Sequence, residues 1–169
     1  FVTANLDFSA DASLRSLADA SLGGAAANSF AGKEASTIGG KIAPYTVVTI
    51  NGEKIGVVGA TTYDLLSKTS PNGTVPKDDG NLSTSDLQEV AAYIQASVNA
   101  LVTMGVNKIV MVDQLDTIDR NKQLAPLVSG IDVMVAGGGH ERQGDANDVA
   151  AQFNGHNADF LEQYPVVAT

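Results

Sequence analysis

Two short runs in this chain combine side chains that bind ligands, and each follows an apolar stretch. One is VDQLD, Val112 to Asp116, after NKIVM. The other is AGGGHE, Ala136 to Glu141, after IDVMV. Carboxylate, amide and imidazole groups, from Asp113, Gln114 and His140, fall in these runs, and all three can hold a polar ligand. Gly137–Gly139 would let the backbone come close to whatever is bound. The run lacks the Gly-Lys-Ser/Thr ending of a phosphate-binding loop. A second reading stays open: three glycines also make a flexible turn, and His140 would then be a surface histidine. His156, in FNGHNADF, reads as exposed in a polar loop.

The elements around these runs decide where they sit. KIAPYTVVTI, Asn51-Gly52 and EKIGVVGATT read as strand, tight turn and strand, because Asn-Gly supplies the positive φ angles of a two-residue hairpin. Val57–Gly59 suit a strand buried on both faces. Ser70–Asn81 reads as a long polar loop marked by Pro71, Gly73, Pro76 and Gly80. Ser85–Met104 is expected to be an amphipathic helix, with Leu87, Val90, Ala91, Ile94, Val98, Leu101 and Val102 at helical spacing, Ser85 with Gln88 as a capping box and Gly105 as its stop. Lys108–Val112 and Ile131–Ala136 read as adjacent, parallel, buried strands. The helix between them is shortened or kinked by Pro126. This is a βαβ series. Right-handed crossovers turn both strand ends the same way, so Gln114 and His140 are expected on one sheet edge, where open α/β sheets bind ligands.

The N-terminal part is less patterned. FVTAN reads as a short strand, SLRSLADASL as a helical turn or two, and GGAAANSFAGKEASTIGG as an irregular surface excursion. Asn72 and Asn81 match glycosylation sequons, which matter only in a eukaryotic secretory setting. The chain opens at FVTANLDFS with neither Met nor a leader pattern and stops at YPVVAT. Both ends read as strands, with the expectation that each continues in a longer protein.

Composition excludes some classes. The 169 residues are 44% hydrophobic, enough for a core, and carry a net charge of −9. Nucleic acid and anionic membrane surfaces reward clustered Lys and Arg, so neither is an expected partner. No apolar run approaches the roughly 20 residues of a membrane span. Without cysteine there is no disulfide and no Cys-based zinc site.

The order ANLDF, KIAPYTVVTINGEKIGVVGATT, GVNKIVMVDQLD and LAPLVSGIDVMVAGGGHE resembles the second half of a calcineurin-like metallophosphoesterase domain. The branch is that of 5'-nucleotidases and related bacterial alkaline phosphatases. The resemblance covers nearly the whole chain, with Ala10–Gly40 matching poorly. It implies an α/β fold, a sandwich of β-sheets flanked by helices, of which residues 1–169 are the C-terminal part. It also implies two divalent metal ions (Zn, Mn, Fe or Ca) and phosphomonoester hydrolysis, with a phosphate ester or nucleotide as substrate and the remainder of the same protein as partner. The setting it implies is secreted, periplasmic or cell-surface. By this resemblance His140 falls on the last position of the Gly-Gly-His-Ser-His/Gln pattern, a metal ligand. Gly138 falls where most members have a ligating His, and Gln114 on the His of Ser-His-Leu. Gln binds transition metals more weakly than imidazole; Asp113 beside it is expected either to compensate as a ligand or to be a strand-end surface carboxylate. One metal position is thus expected to be weakened. The Asp-x-His, Gly-Asp-x-x-Asp and Gly-Asn-His-Glu motifs would lie upstream of Phe1, so no catalytic residue is expected in this chain, and the chain alone is expected to be inactive. The rival expectations are a degenerate, non-catalytic domain kept for binding or structure, and an ordinary doubly wound domain binding a small metabolite.

Overall fold

A computed structural model describes residues 1–77, 86–139 and 166–168. In chain order the elements are β1 (Leu6–Asp7), β2 (Tyr45–Ile50), β3 (Glu53–Thr61), α1 (Leu65–Lys68), β4 (Val75–Pro76), α2 (Asp86–Thr103), β5 (Ile109–Gln114), α3 (Ile118–Leu124), β6 (Val133–Gly137) and β7 (Val166–Ala168). Five strands form one sheet in the order β2-β3-β5-β6-β7, and β1 pairs with β4 as a separate two-stranded ribbon. β2 runs antiparallel to β3; the pairs from β3 to β7 are parallel. The fold is mixed α/β, a multi-stranded sheet flanked by helices.

The local signals act as their chemistry requires. Asn51 and Gly52 take φ of 52° and 84° and join β2 to β3, with Ile50 paired to Glu53. Helix α2 stops at Thr103, two residues before Gly105, which takes φ 79°. The Val106 amide donates to Leu101 O at 3.1 Å and the Gly105 amide to Val102 O at 2.9 Å, the paired bonds of a glycine-capped helix end. Pro126 sits in a 3-10 turn, Ala125–Leu127, that closes α3 after seven residues. Ser85 and its capping box lie outside the described residues.

Val90, Ala91, Ile94, Val98 and Leu101 of α2 and Ile118 and Leu124 of α3 cover one face of the sheet, against Val58, Ala60, Ile109, Met111 and Met134. A Cβ on Gly56 would lie 2.7 Å from Leu101, so glycine there lets α2 approach β3 closely. The other face differs from the expectation of strands buried on both sides. Val112 is 37% exposed and Val167 46%, while Val110, Val133 and Val135 are half-buried. Among the described residues, Gly59 of β3 is buried on this side. There the Val2–Ala4 segment crosses it: the Ala4 amide donates to Gly59 O at 2.8 Å, and a Cβ on Gly59 would lie 2.0 Å from Val2 O.

The N-terminal part departs from its reading at its start. FVTAN is not a regular strand; Val2 makes a single bridge to Ala43. SLRSLADASL forms the expected short helical turns, with the Ala18 amide on Leu14 O at 3.1 Å and a 3-10 turn at Ala20–Leu22. The glycine-rich excursion is organised by buried Asp19, whose carboxylate accepts from Ser21 N and Oγ, Phe30 N and Ala31 N. Four donors on one carboxylate replace a regular backbone ladder. The polar loop after Ser70 also contains β4, too short to leave a periodic trace.

Candidate functional site

Parallel register lines up the carboxyl ends of the central strands. Thr61 of β3 pairs with Gln114 of β5, and Gln114 with Gly137 of β6. Strand pleating puts these three on one face and Asp113 on the other. The Thr61 end of the row is rigid. Asn5 is 1% exposed; its Nδ2 donates to Thr61 O at 2.6 Å and its Oδ1 accepts from Thr61 N at 2.9 Å. The Thr3 and Thr61 hydroxyls are bonded at 3.1 Å. Composition and periodicity do not mark these three residues; their part in the edge emerges from tertiary pairing across 56 to 58 positions.

Gln114 is exposed, and its amide lies over the glycine run. A Cβ on Gly137 would lie 3.3 Å from Gln114 Oε1 and 2.3 Å from Asp113 O. A Cβ on Gly138 would lie 2.2 Å from Gln114 Nε2. Gly138 also takes φ 95°, which L side chains rarely adopt. Gln114 and Gly138 are therefore neighbours, and the amide of one fills the space a side chain at the other would need. His140 lies outside the described residues; the described chain reaches Gly139, one position before it.

Asp113 does not join Gln114. Its carboxylate turns to the helix layer, where Oδ2 accepts from Asn121 Nδ2 at 2.7 Å. Asn121 is fully buried, and its Nδ2 also contacts Met134 Sδ at 3.3 Å. Asp113 Oδ1 and Asn121 Oδ1 are buried without a hydrogen-bond partner. Burial pushes the Asp113 carboxyl up to about 7, against the opposing pull of the Asn121 bond and of the Leu115 and Gly137 amides.

Next to this row is an ionic cluster. Arg120 of α3 donates to both carboxylate oxygens of Asp64, at 3.0 and 2.9 Å, to Thr62 Oγ1 at 2.8 Å, to Leu115 O at 3.2 Å and to Asp116 Oδ2 at 3.1 Å. Its guanidinium lies 4.7 Å from the centre of the Tyr63 ring. The Thr62 hydroxyl also donates to Asp64, and Lys68 pairs with Asp116 at 3.3 Å. Bonding to Arg120, foremost, holds the Asp64 carboxyl far below the usual carboxylate range.

A metal centre needs several donors on one side. Among the described residues, Gln114 is the one predicted donor on this face of the edge, Gly138 offers none, and no three His, Cys, Asp or Glu side chains gather to hold an ion. These residues alone do not fit a two-metal centre.

No family model matches the chain. Over 102 residues, 60% of its length, it is 31% identical to the NAD 5'-nucleotidase of Haemophilus influenzae, of which that stretch is 15%. It is 35% identical over 94 residues, 56% of its length, to a 5'-nucleotidase of Diplobatis ommata, covering 14% of that protein. The crystal structure of a 5'-nucleotidase precursor from Thermus thermophilus superposes on 85% of the chain, with a TM-score of 0.55 and 28% identity; 21% of that protein is covered. The chain thus spans about one seventh of the length of the curated relatives it matches. In sequence over three fifths of its length, and in fold over most of it, this chain is similar to 5'-nucleotidases.

Proposed function

We propose that the complete protein is a divalent-metal-dependent phosphomonoesterase, acting on nucleotides or similar phosphate esters, and that this chain is the C-terminal part of its catalytic domain. The observation that carries this reading is the row Thr61–Gln114–Gly137, built at the carboxyl edge of a parallel sheet in a chain that is similar to a 5'-nucleotidase over 60% of its length. The half-open valine face of β5, β6 and β7 supports a second sheet layer, supplied by the rest of the same protein and packed against it. Divalent ions in such enzymes supply the attacking hydroxide and neutralise charge on the phosphoryl group. Gln114, through its amide oxygen, and His140 are the proposed donors from this chain; Asp113 supports them from behind the strand. With a neutral amide in place of one imidazole and no side chain at Gly138, one ion is held less tightly than the other, or is a hard ion such as calcium that accepts oxygen ligands. An exported setting accords with the precursor named for the Thermus thermophilus protein. Among the described residues no helix is long and apolar enough to cross a membrane.

A second reading, a degenerate domain kept for binding, draws on the positive φ of Gly138 and the Gln114 amide packed over it, both of which disfavour the ligating side chain of the family pattern. Phosphate release by the full-length protein separates the two. A nucleoside 5'-monophosphate should be hydrolysed, and a phosphodiester analogue much more slowly. Binding of the monophosphate without hydrolysis under any divalent cation would favour the second reading.

A further inference from the structure

We propose that Arg120 is a positioning residue for the strand-end row: by bonding the turns after β3 and β5 together, it holds Asp116 in a left-handed conformation and thereby sets Gln114 against Gly137 and Gly138. This rests on the phosphoesterase reading of the edge. The turn after β3 is gripped through Thr62 and Asp64, and the turn after β5 through Leu115 O and Asp116. Asp116 takes φ 76°, one of only two non-glycine residues with positive φ among those described. Such a conformation costs a non-glycine residue about 1–2 kcal/mol and persists where its surroundings over-determine it. Here the determinants are Arg120 and Lys68 on its carboxylate. Asp116 stands two residues after Gln114, and its Cα lies 3.4 Å from where a Cβ of Gly138 would be. One guanidinium therefore fixes two turns by direct bonds, and through Asp116 it abuts the third.

A plain structural staple would act through stability alone. A positioning residue acts on local geometry, and its loss should be recoverable by restoring that geometry another way. Glycine adopts positive φ unaided, so Asp116→Gly should rescue a loss of Arg120. In full-length protein, Arg120→Met is expected to lower kcat for a nucleoside 5'-monophosphate about 10-fold or more with little change in KM, and to speed amide exchange over residues 114–116. Arg120→Lys should show both effects at smaller size, since a single ammonium cannot span Asp64, Thr62, Leu115 O and Asp116 together. Adding Asp116→Gly to either variant should recover most of the lost kcat and exchange protection while leaving the melting temperature low. Wild-type kcat and exchange in a folded Arg120 variant would overturn the proposal, as would losses that Asp116→Gly leaves in place. If Arg120→Met does not fold, Arg120→Lys and its double variant decide by the same criteria. If the wild-type protein releases no phosphate, the phosphoesterase reading fails. Exchange over 114–116 then judges Arg120 alone: protection lost and recovered supports it, and unchanged protection overturns it.

Discussion

Asp113→Asn is expected to stabilise the protein at pH 8 by about 2–4 kcal/mol and to have little effect at pH 4. The carboxyl of Asp113 is held neutral to about pH 7 by burial beneath α3. Its folded value lies above the unfolded one, near 3.8, so the stabilising contribution belongs to the protonated form. That contribution is complete below about pH 4, declines as pH rises toward 7 and is absent above it. A single proton on Asp113 also supplies a donor where two buried oxygens, Asp113 Oδ1 and Asn121 Oδ1, have none. An asparagine supplies such a donor at every pH and retains an acceptor for Asn121 Nδ2. Urea unfolding of both proteins between pH 4 and 8 gives the comparison. Other carboxylates, Asp64 foremost, are held low and weaken the fold in acid, so the difference between the two proteins is the informative quantity. Parallel curves at all pH values would mean that Asp113 is charged in the fold and its surroundings wetter than the structure has them.

Gly138→Ala is expected to cost about 1–3 kcal/mol, most of it from the backbone, because φ 95° is unfavourable for any side chain. The clash with Gln114 Nε2 is a smaller part, since the exposed amide can swing away. The cost should therefore fall only slightly in Gln114→Ala/Gly138→Ala. By the same reasoning Gly138→His does not by itself recreate the ligand of the family pattern. Gln114→His with Gly138→His should raise divalent-metal retention in full-length protein only if residue 138 leaves positive φ. Thermal unfolding measures the first effect and metal content after dialysis the second. An unchanged melting temperature in Gly138→Ala would show that the glycine run is not held in this conformation.

The parts of this structure that were legible in the sequence are those set by local chemistry. Asn51-Gly52 demanded a hairpin, the spacing from Leu87 to Leu101 a helix, and Gly105 its end. The alternation of apolar runs with helical periodicity placed β5 beside β6 with both carboxyl ends on one edge. Orientation within β5 was not legible. Ile109, Met111 and Asp113 face the helices while Val110, Val112 and Gln114 face away, and apolar residues on both faces leave no polar mark to choose between them. That is why Asp113, expected beside Gln114, is found behind the strand. The clasp of Arg120 on Asp64 joins residues 56 positions apart, and the grip of Asn5 on Thr61 spans the same distance. Such pairings depend on tertiary placement that no local pattern encodes. The same holds for Asp19, which organises a glycine-rich stretch by side-chain bonds rather than by periodicity.

The most direct test is phosphate release from a nucleoside 5'-monophosphate by full-length protein, first stripped with a chelator and then titrated with one divalent cation, with bound metal counted at each point. The proposed function predicts that stripping abolishes turnover. It further predicts that one ion returns at low concentration with little activity, and that turnover rises with the weaker occupancy of a second. Turnover indifferent to the chelator, or folded protein that releases no phosphate with any cation, would contradict it.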